Sequence, residues 1–99
     1  MDKEEAIRLG KKYKMLISEH FDVKDVIIYG SYCKGTQKEE SDIDIAIVVD
    51  DITGNYFDNF PLLWKIKRKV SNFIEPVLIC EKKDKSGFLI EIRKAGIVL

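Results

Sequence analysis

The stretch from Tyr29 to Val49, Y-G-S-Y-C-K-G-T-Q-K-E-E-S-D-I-D-I-A-I-V-V, constrains this chain more than any other. From Asp42 onward it is rich in β-branched residues, and alternate residues of a strand share one face at roughly 6.7 Å per two residues. Asp42 and Asp44 therefore point the same way. Two carboxylates on one face repel unless a cation sits between them, and hard oxygen ligands suit Mg²⁺. Ahead of them, Val26-Ile27-Ile28-Tyr29 reads as a strand broken by Gly30-Ser31, followed by a short helical turn through Lys34 that ends near Gly35. Gly30 lets a backbone approach closely, Ser31 can cap, and unpaired amides at a helix start attract anions. An anion site and a cation site thus stand ten residues apart. Phosphate chains and Mg²⁺ belong together, which makes a nucleoside triphosphate the economical ligand.

The bounds on the rest are tight. Ninety-nine residues, 45% of them hydrophobic, make one small domain spanning 1–99, and a chain of that size buries only about 60 to 65% of its unfolded surface. Seventeen basic and seventeen acidic residues cancel, so no global field draws the chain to nucleic acid or to an anionic membrane. Asp2, Glu4 and Glu5 replace the basic flank of a signal peptide, and no apolar run is long enough to span a bilayer, so a cytoplasmic protein is expected. Cys33 and Cys80 lack metal-site spacing and the density of a disulfide scaffold, and both are expected to be reduced.

Along the chain, Ala6, Leu9, Tyr13, Leu16 and Ile17 recur at helical spacing within Asp2 to His20, and Gly10 interrupts that helix where close packing on the sheet would explain it. His20 reads as a surface residue at the helix end. Gln37 to Ser41 is a polar loop, with Ser41 a turn residue rather than a ligand. Asp50 to Asn59 reads as irregular, its aromatic residues Tyr56, Phe57 and Phe60 packing under a loop rather than forming a flap over a base. Pro61 suits a first helical turn, after which Leu63, Ile66 and Val70 form an apolar face bordered by Trp64. Lys65, Lys67, Arg68 and Lys69 then read as a solvated face. Phe73 to Cys80 is a third strand, Glu81 to Lys85 a charged loop, and Ser86 caps a last helix through Arg93 that Gly96 ends.

For Gly30-Ser31, at the exit of the first strand, to meet Asp42 and Asp44, at the entrance of the second, those strands must run antiparallel. The helix near Pro61 then returns the chain for a parallel third strand. Its beginning carries one acidic residue, Glu75, which geometry nominates as a third carboxylate. The resulting fold class is α/β (α+β), a small mixed sheet of three or more strands with flanking helices in the order α-β-α-β-α-β-α.

Glycine-serine, ten residues, then D-x-D resembles the signature of the polymerase β-like nucleotidyltransferase superfamily, and the whole chain resembles its minimal, single-domain branch. That resemblance implies a nucleotidyltransferase that moves a nucleoside monophosphate, AMP from ATP or another triphosphate, to an acceptor hydroxyl. Asp42 and Asp44 would hold one or two Mg²⁺ ions, and Glu75, often an aspartate in relatives, would bind the second ion or accept the acceptor's proton. Gly30 and Ser31 would bind the β- and γ-phosphates, with Lys34 neutralising another oxygen where many relatives carry arginine. Minimal members are commonly paired with a small helical HEPN protein, and some act as antitoxins of toxin–antitoxin systems that adenylylate a partner tyrosine. A protein acceptor suits a chain without the acceptor domain of larger relatives. The rivals are transfer to a small molecule, a non-catalytic antitoxin or scaffold that acts by binding alone, and a nucleic-acid-binding module resting only on the lysine run. Homo-oligomerisation is left open.

Overall fold

The first helix forms where its spacing and its charges both require. α1 (Lys3–Ile17) is capped by Asp2, whose side chain accepts from the Glu5 amide at 2.8 Å, and Glu4 and Glu5 in its first turn complement the helix dipole. Ala6, Leu9, Gly10, Tyr13 and Ile17 are buried along one stripe, Leu16 lies at its edge, and His20 is exposed beyond the helix end. Gly10 is a packing glycine: a Cβ there would lie 2.7 Å from Leu99 Cδ1 and 3.3 Å from Ile28 Cδ1.

The computed structural model describes the chain apart from residues 39–40, 51–55 and 85 and the side chains of residues 56–60. Strands β1 (Asp25–Tyr29), β2 (Ile43–Val49), β3 (Ile74–Cys80) and β4 (Ile97–Val98) form a mixed sheet in the order β3-β2-β1-β4. β2 runs antiparallel to β1 and parallel to β3, as the sequence requires, and β4 lies antiparallel to β1. This fourth strand extends the expected order: Ile97 and Val98 regain the sheet because Leu99 donates its amide to Val26 O at 2.8 Å. Pro76 lies in β3, the outermost strand, where its missing N–H is tolerated.

Each face of the sheet has its own cover. α1 and α3 (Tyr56–Val70) pack on the face carrying Val26, Ile28, Ile45, Ile47 and Leu78, and the Tyr13 hydroxyl ties the two helices by donating to Leu63 O at 2.9 Å. α4 (Phe88–Ala95) covers the other face, where Leu89 and Ile92 pack against Ile27, Ala46, Val48 and Ile79. Among the described residues no helix is long and apolar enough to cross a membrane.

Three local expectations are corrected. α3 begins at Tyr56, so Pro61 lies inside the helix and residues 56–59 are helical rather than irregular. The helix forgoes one intrahelical hydrogen bond there, since proline has no N–H to give. The rest of the aromatic segment, including the side chains of Tyr56, Phe57 and Phe60, lies outside the described residues. Lys67 is not part of a solvated face: it is buried, stacks 4.9 Å from the Trp64 ring centroid, and donates to Asn72 O at 3.2 Å. Lys65, Arg68 and Lys69 are exposed as expected. Glu81 to Lys83 form a 3₁₀ turn rather than a loop, and Gly87, not Ser86, is the N-cap of α4, whose start is held by two side chains. Asp84 Oδ2 accepts from the Leu89 amide at 3.0 Å, while Ser86 Oγ accepts from the Phe88 amide at 3.2 Å.

Candidate functional site

At the end of β1 the chain must turn within one residue, and Gly30 does so at φ 78°, ψ −142°, a conformation open essentially to glycine alone. Its carbonyl accepts from the Cys33 and Lys34 amides at 3.1 and 3.2 Å, which starts α2 (Ser31–Lys34). Ser31 does not cap this turn. Gly30 is the N-cap, no side-chain hydrogen bond caps the helix, and Ser31 is the first helical residue. Gly35 closes the turn in the left-handed region at φ 72°.

Asp44 lies where the parts converge. Antiparallel pairing sets it opposite Tyr29, and parallel pairing sets it opposite Glu75. Partners in register share a face, so Tyr29, Asp44 and Glu75 form one row across three strands. The Asp44 carboxylate also occupies the space that a Cβ on Gly30 would take, since such an atom would fall on its Oδ2. Glycine at this position is thus doubly determined, by its backbone angle and by the carboxylate resting on it.

Asp42 is exposed just ahead of β2. Tyr32, buried in α2, holds that entrance by reaching the Ser41 carbonyl at 3.4 Å, and Ser41 Oγ accepts from the Lys38 amide at 2.7 Å as a turn residue does. Partial burial, then the charges of Asp42 and Glu75, push the Asp44 carboxyl above the ordinary carboxylate range. Burial and the Asp44 charge likewise raise the Tyr29 phenol, and burial followed by Asp2 and Asp42 raises that of Tyr32.

Of the residues expected at the site, Gly30, Ser31, Asp42, Asp44 and Glu75 gather at one end of the strands, and Lys34 is exposed at the end of α2. The carboxylates influence one another without closing into a finished cage: among the described residues no three His, Cys, Asp or Glu side chains are grouped tightly enough to hold an ion. Their chemistry nonetheless fits a divalent cation, because a hard ion would offset both the burial and the neighbouring charges that raise Asp44. Two residues enter the site unannounced. Tyr29 stands beside Asp44, which strand alternation and the antiparallel register foretell, and the Phe88 ring meets that of Tyr29 edge to face at 5.6 Å and 89°. Phe88 comes from the far end of the chain, and nothing in its local sequence signals this meeting.

The family described as polymerase beta, nucleotidyltransferase matches residues 11–99. The chain belongs to that family. It is 32% identical to a provisionally named protein adenylyltransferase of Methanocaldococcus jannaschii, over 100% of this chain and 99% of that one. A second such protein from the same organism is 35% identical over 69% of this chain and 60% of its own length. The protein adenylyltransferase MntA of Thermococcus cleftensis is 35% identical over 50% of each chain. Against three of the M. jannaschii relatives the match spans only 41%, 43% and 60% of their length. Among solved structures, a provisionally named nucleotidyltransferase from Sulfolobus solfataricus superposes with a TM-score of 0.71 at 20% identity, covering 97% of this chain and 80% of that one. A toxin–antitoxin structure with AMP-PNP superposes with a TM-score of 0.59 at 20% identity, covering 99% and 72%. Both establish the likeness of fold.

Proposed function

We propose that this nucleotidyltransferase, acting as one minimal domain over 1–99, moves AMP from ATP to a hydroxyl of a partner protein, a tyrosine of a HEPN-type helical toxin in the cytoplasm. The observation that carries the reading is the position of Asp44, in one row with Glu75 and resting on Gly30, its carboxyl raised by partial burial and then by like charge. Asp42, Asp44 and Glu75 would hold Mg²⁺, which when bound neutralises charge on the phosphate oxygens.

The chain's own residues supply the rest. The backbone amides at Gly30 and Ser31 and the Ser31 hydroxyl meet the β- and γ-phosphates, and Lys34 balances a further oxygen as a point charge. The acceptor oxygen bonds to the α-phosphorus as the bond to the bridging oxygen breaks, pyrophosphate leaves, and the acceptor's proton passes to Glu75 where that carboxylate is not taken up by the second ion. A partner seated at the site both aligns the attacking oxygen and excludes water. The names of the M. jannaschii and T. cleftensis relatives support protein adenylylation, and the toxin–antitoxin neighbour supports a protein partner.

Incubation with ATP, Mg²⁺ and the product of the neighbouring reading frame, followed by intact-mass measurement, should show added AMP units on that product that vanish with Asp42→Asn. A neighbour that is bound and inhibited equally by wild type and variant, with unchanged mass, would replace this reading with a scaffold that acts by binding alone.

A further inference from the structure

Among the described residues α4 covers the face of the sheet that carries the carboxylate row, and its first residue, Phe88, stays well exposed beside that row. Leu89 and Ile92 anchor the helix at 4% exposure each, whereas Phe88 is 42% exposed. Its position is nevertheless fixed. The Ser86 hydroxyl accepts the Phe88 amide at 3.2 Å, Asp84 accepts the next amide at 3.0 Å, and Asp84 also accepts from the Ser86 hydroxyl at 2.8 Å. The ring itself is held edge to face on Tyr29.

Tyr29 is the register neighbour of Asp44, and adjacent strands lie about 4.8 Å apart. With 5.6 Å between the two ring centroids, Phe88 lies within the reach of a ribose and base whose phosphate end is at the carboxylates. The edge-to-face pair does not bury the Phe88 side chain, which keeps a large exposed surface for a third ring. A pre-positioned, half-exposed aromatic ring beside a phosphate site is the surface on which a nucleobase stacks.

We propose that Phe88, braced by Tyr29, is the platform for the nucleobase of the bound triphosphate. This rests on the nucleotidyl-transfer reading and adds to it the residue that positions the base. Stacking accepts any planar base, so the platform supplies affinity for nucleotides over bare polyphosphate and leaves discrimination among bases to other groups.

Calorimetric titration of the whole chain with ATP and with tripolyphosphate, both with Mg²⁺, separates the two readings. Phe88→Ala and Phe88→Leu should each weaken ATP roughly five- to hundredfold, the range of one lost base stack, and leave tripolyphosphate unchanged. Phe88→Trp should restore ATP binding, which Leu would do equally if the position were merely apolar filling. ATP binding by Phe88→Ala at wild-type affinity overturns the platform. So does an unchanged ATP affinity combined with lost transfer to the partner protein, which would give Phe88 to the acceptor surface. A wild-type chain that binds tripolyphosphate and ATP equally overturns the platform alone, whereas one that binds neither overturns nucleotidyl transfer itself.

Discussion

Substituting Gly30 by alanine tests the site's construction from two directions at once. The φ of 78° is reserved for glycine, and holding another residue in so sparse a region costs about 1–3 kcal/mol. The added methyl also falls on Asp44 Oδ2, and overpacking of this kind adds about 1–3 kcal/mol more. The sum, about 2–6 kcal/mol, is a large share of the roughly 5–15 kcal/mol available to a chain of this length. Urea unfolding followed by circular dichroism should therefore show the midpoint falling by about 2 M for a cost near 4 kcal/mol at a slope of about 2 kcal/mol/M. The two contributions separate in a double-mutant cycle. In an Asp44→Ala background the carboxylate oxygen is gone, so Gly30→Ala should cost only the backbone strain, and the coupling should be about 1–3 kcal/mol. An identical cost in both backgrounds would refute the contact with Asp44, and no cost in either would refute the backbone geometry as well.

Asp44→Asn should raise the melting temperature at pH 7. A carboxyl whose folded pKa is raised stabilises the fold below its ordinary value of 3.8 and loses that contribution as pH rises, so the gain should close below that pH; an equal or lower melting temperature at pH 7 would count against the crowding with Asp42 and Glu75. Glu81→Gln should act in the opposite sense. Lys24, then Arg93, hold that carboxyl down to about 2 from 4.5. Its contribution is present above 4.5 and lost as pH falls toward 2, so the variant should melt lower at pH 7, less so in high salt, and match wild type near pH 2. Glu75→Gln should bind ATP within a few-fold of wild type while transfer slows by on the order of a thousandfold, about 4 kcal/mol of barrier, in single-turnover mass measurements; wild-type rates would return Glu75 to a surface charge.

The parts of this site that local rules govern were legible in the sequence. The parallel return through α3 put Glu75 at the sheet edge of Asp44, a deduction that needed only topology and that the register sharpens to a place opposite it, whereas Asp42, expected on the strand, lies one residue ahead of β2. The turn at Gly30 was legible as well, although Ser31 was cast as its cap when the glycine itself holds that position. What escaped depends on contacts between distant segments. The burial of Lys67 needs Trp64 beneath it and the Asn72 carbonyl ahead, so a basic run looks uniformly solvated until the next turn is placed. β4 is two residues long and exists only because β1 offers it a free edge. Phe88 joins Tyr29 because Asp84 and Ser86 fix where α4 begins, and no periodicity records that.

The two ends of the sheet divide the electrostatic burden. At the end bearing Tyr29, Asp44 and Glu75, like charges crowd and the backbone is held in a conformation only glycine accepts, features that weaken the free protein and suit a polyphosphate with its cation. At the opposite end the charges are matched: Arg93 pairs with Asp25 and Glu81 at 2.8 Å each, and Lys24 pairs with Glu81 at 2.5 Å and Asp50 at 3.2 Å. Asp44 and Asp50 stand at opposite ends of β2, about 20 Å apart at the rise of a strand, more than twice the screening length of about 8 Å at physiological salt. Neither end can then sense the other's charge. The stabilisation from Asp44→Asn and the loss from Glu81→Gln should therefore add to within about 0.5 kcal/mol when combined. A larger departure would mean that the sheet transmits strain between its ends, and that the crowding at Asp44 is held in place by the ion pairs at Glu81.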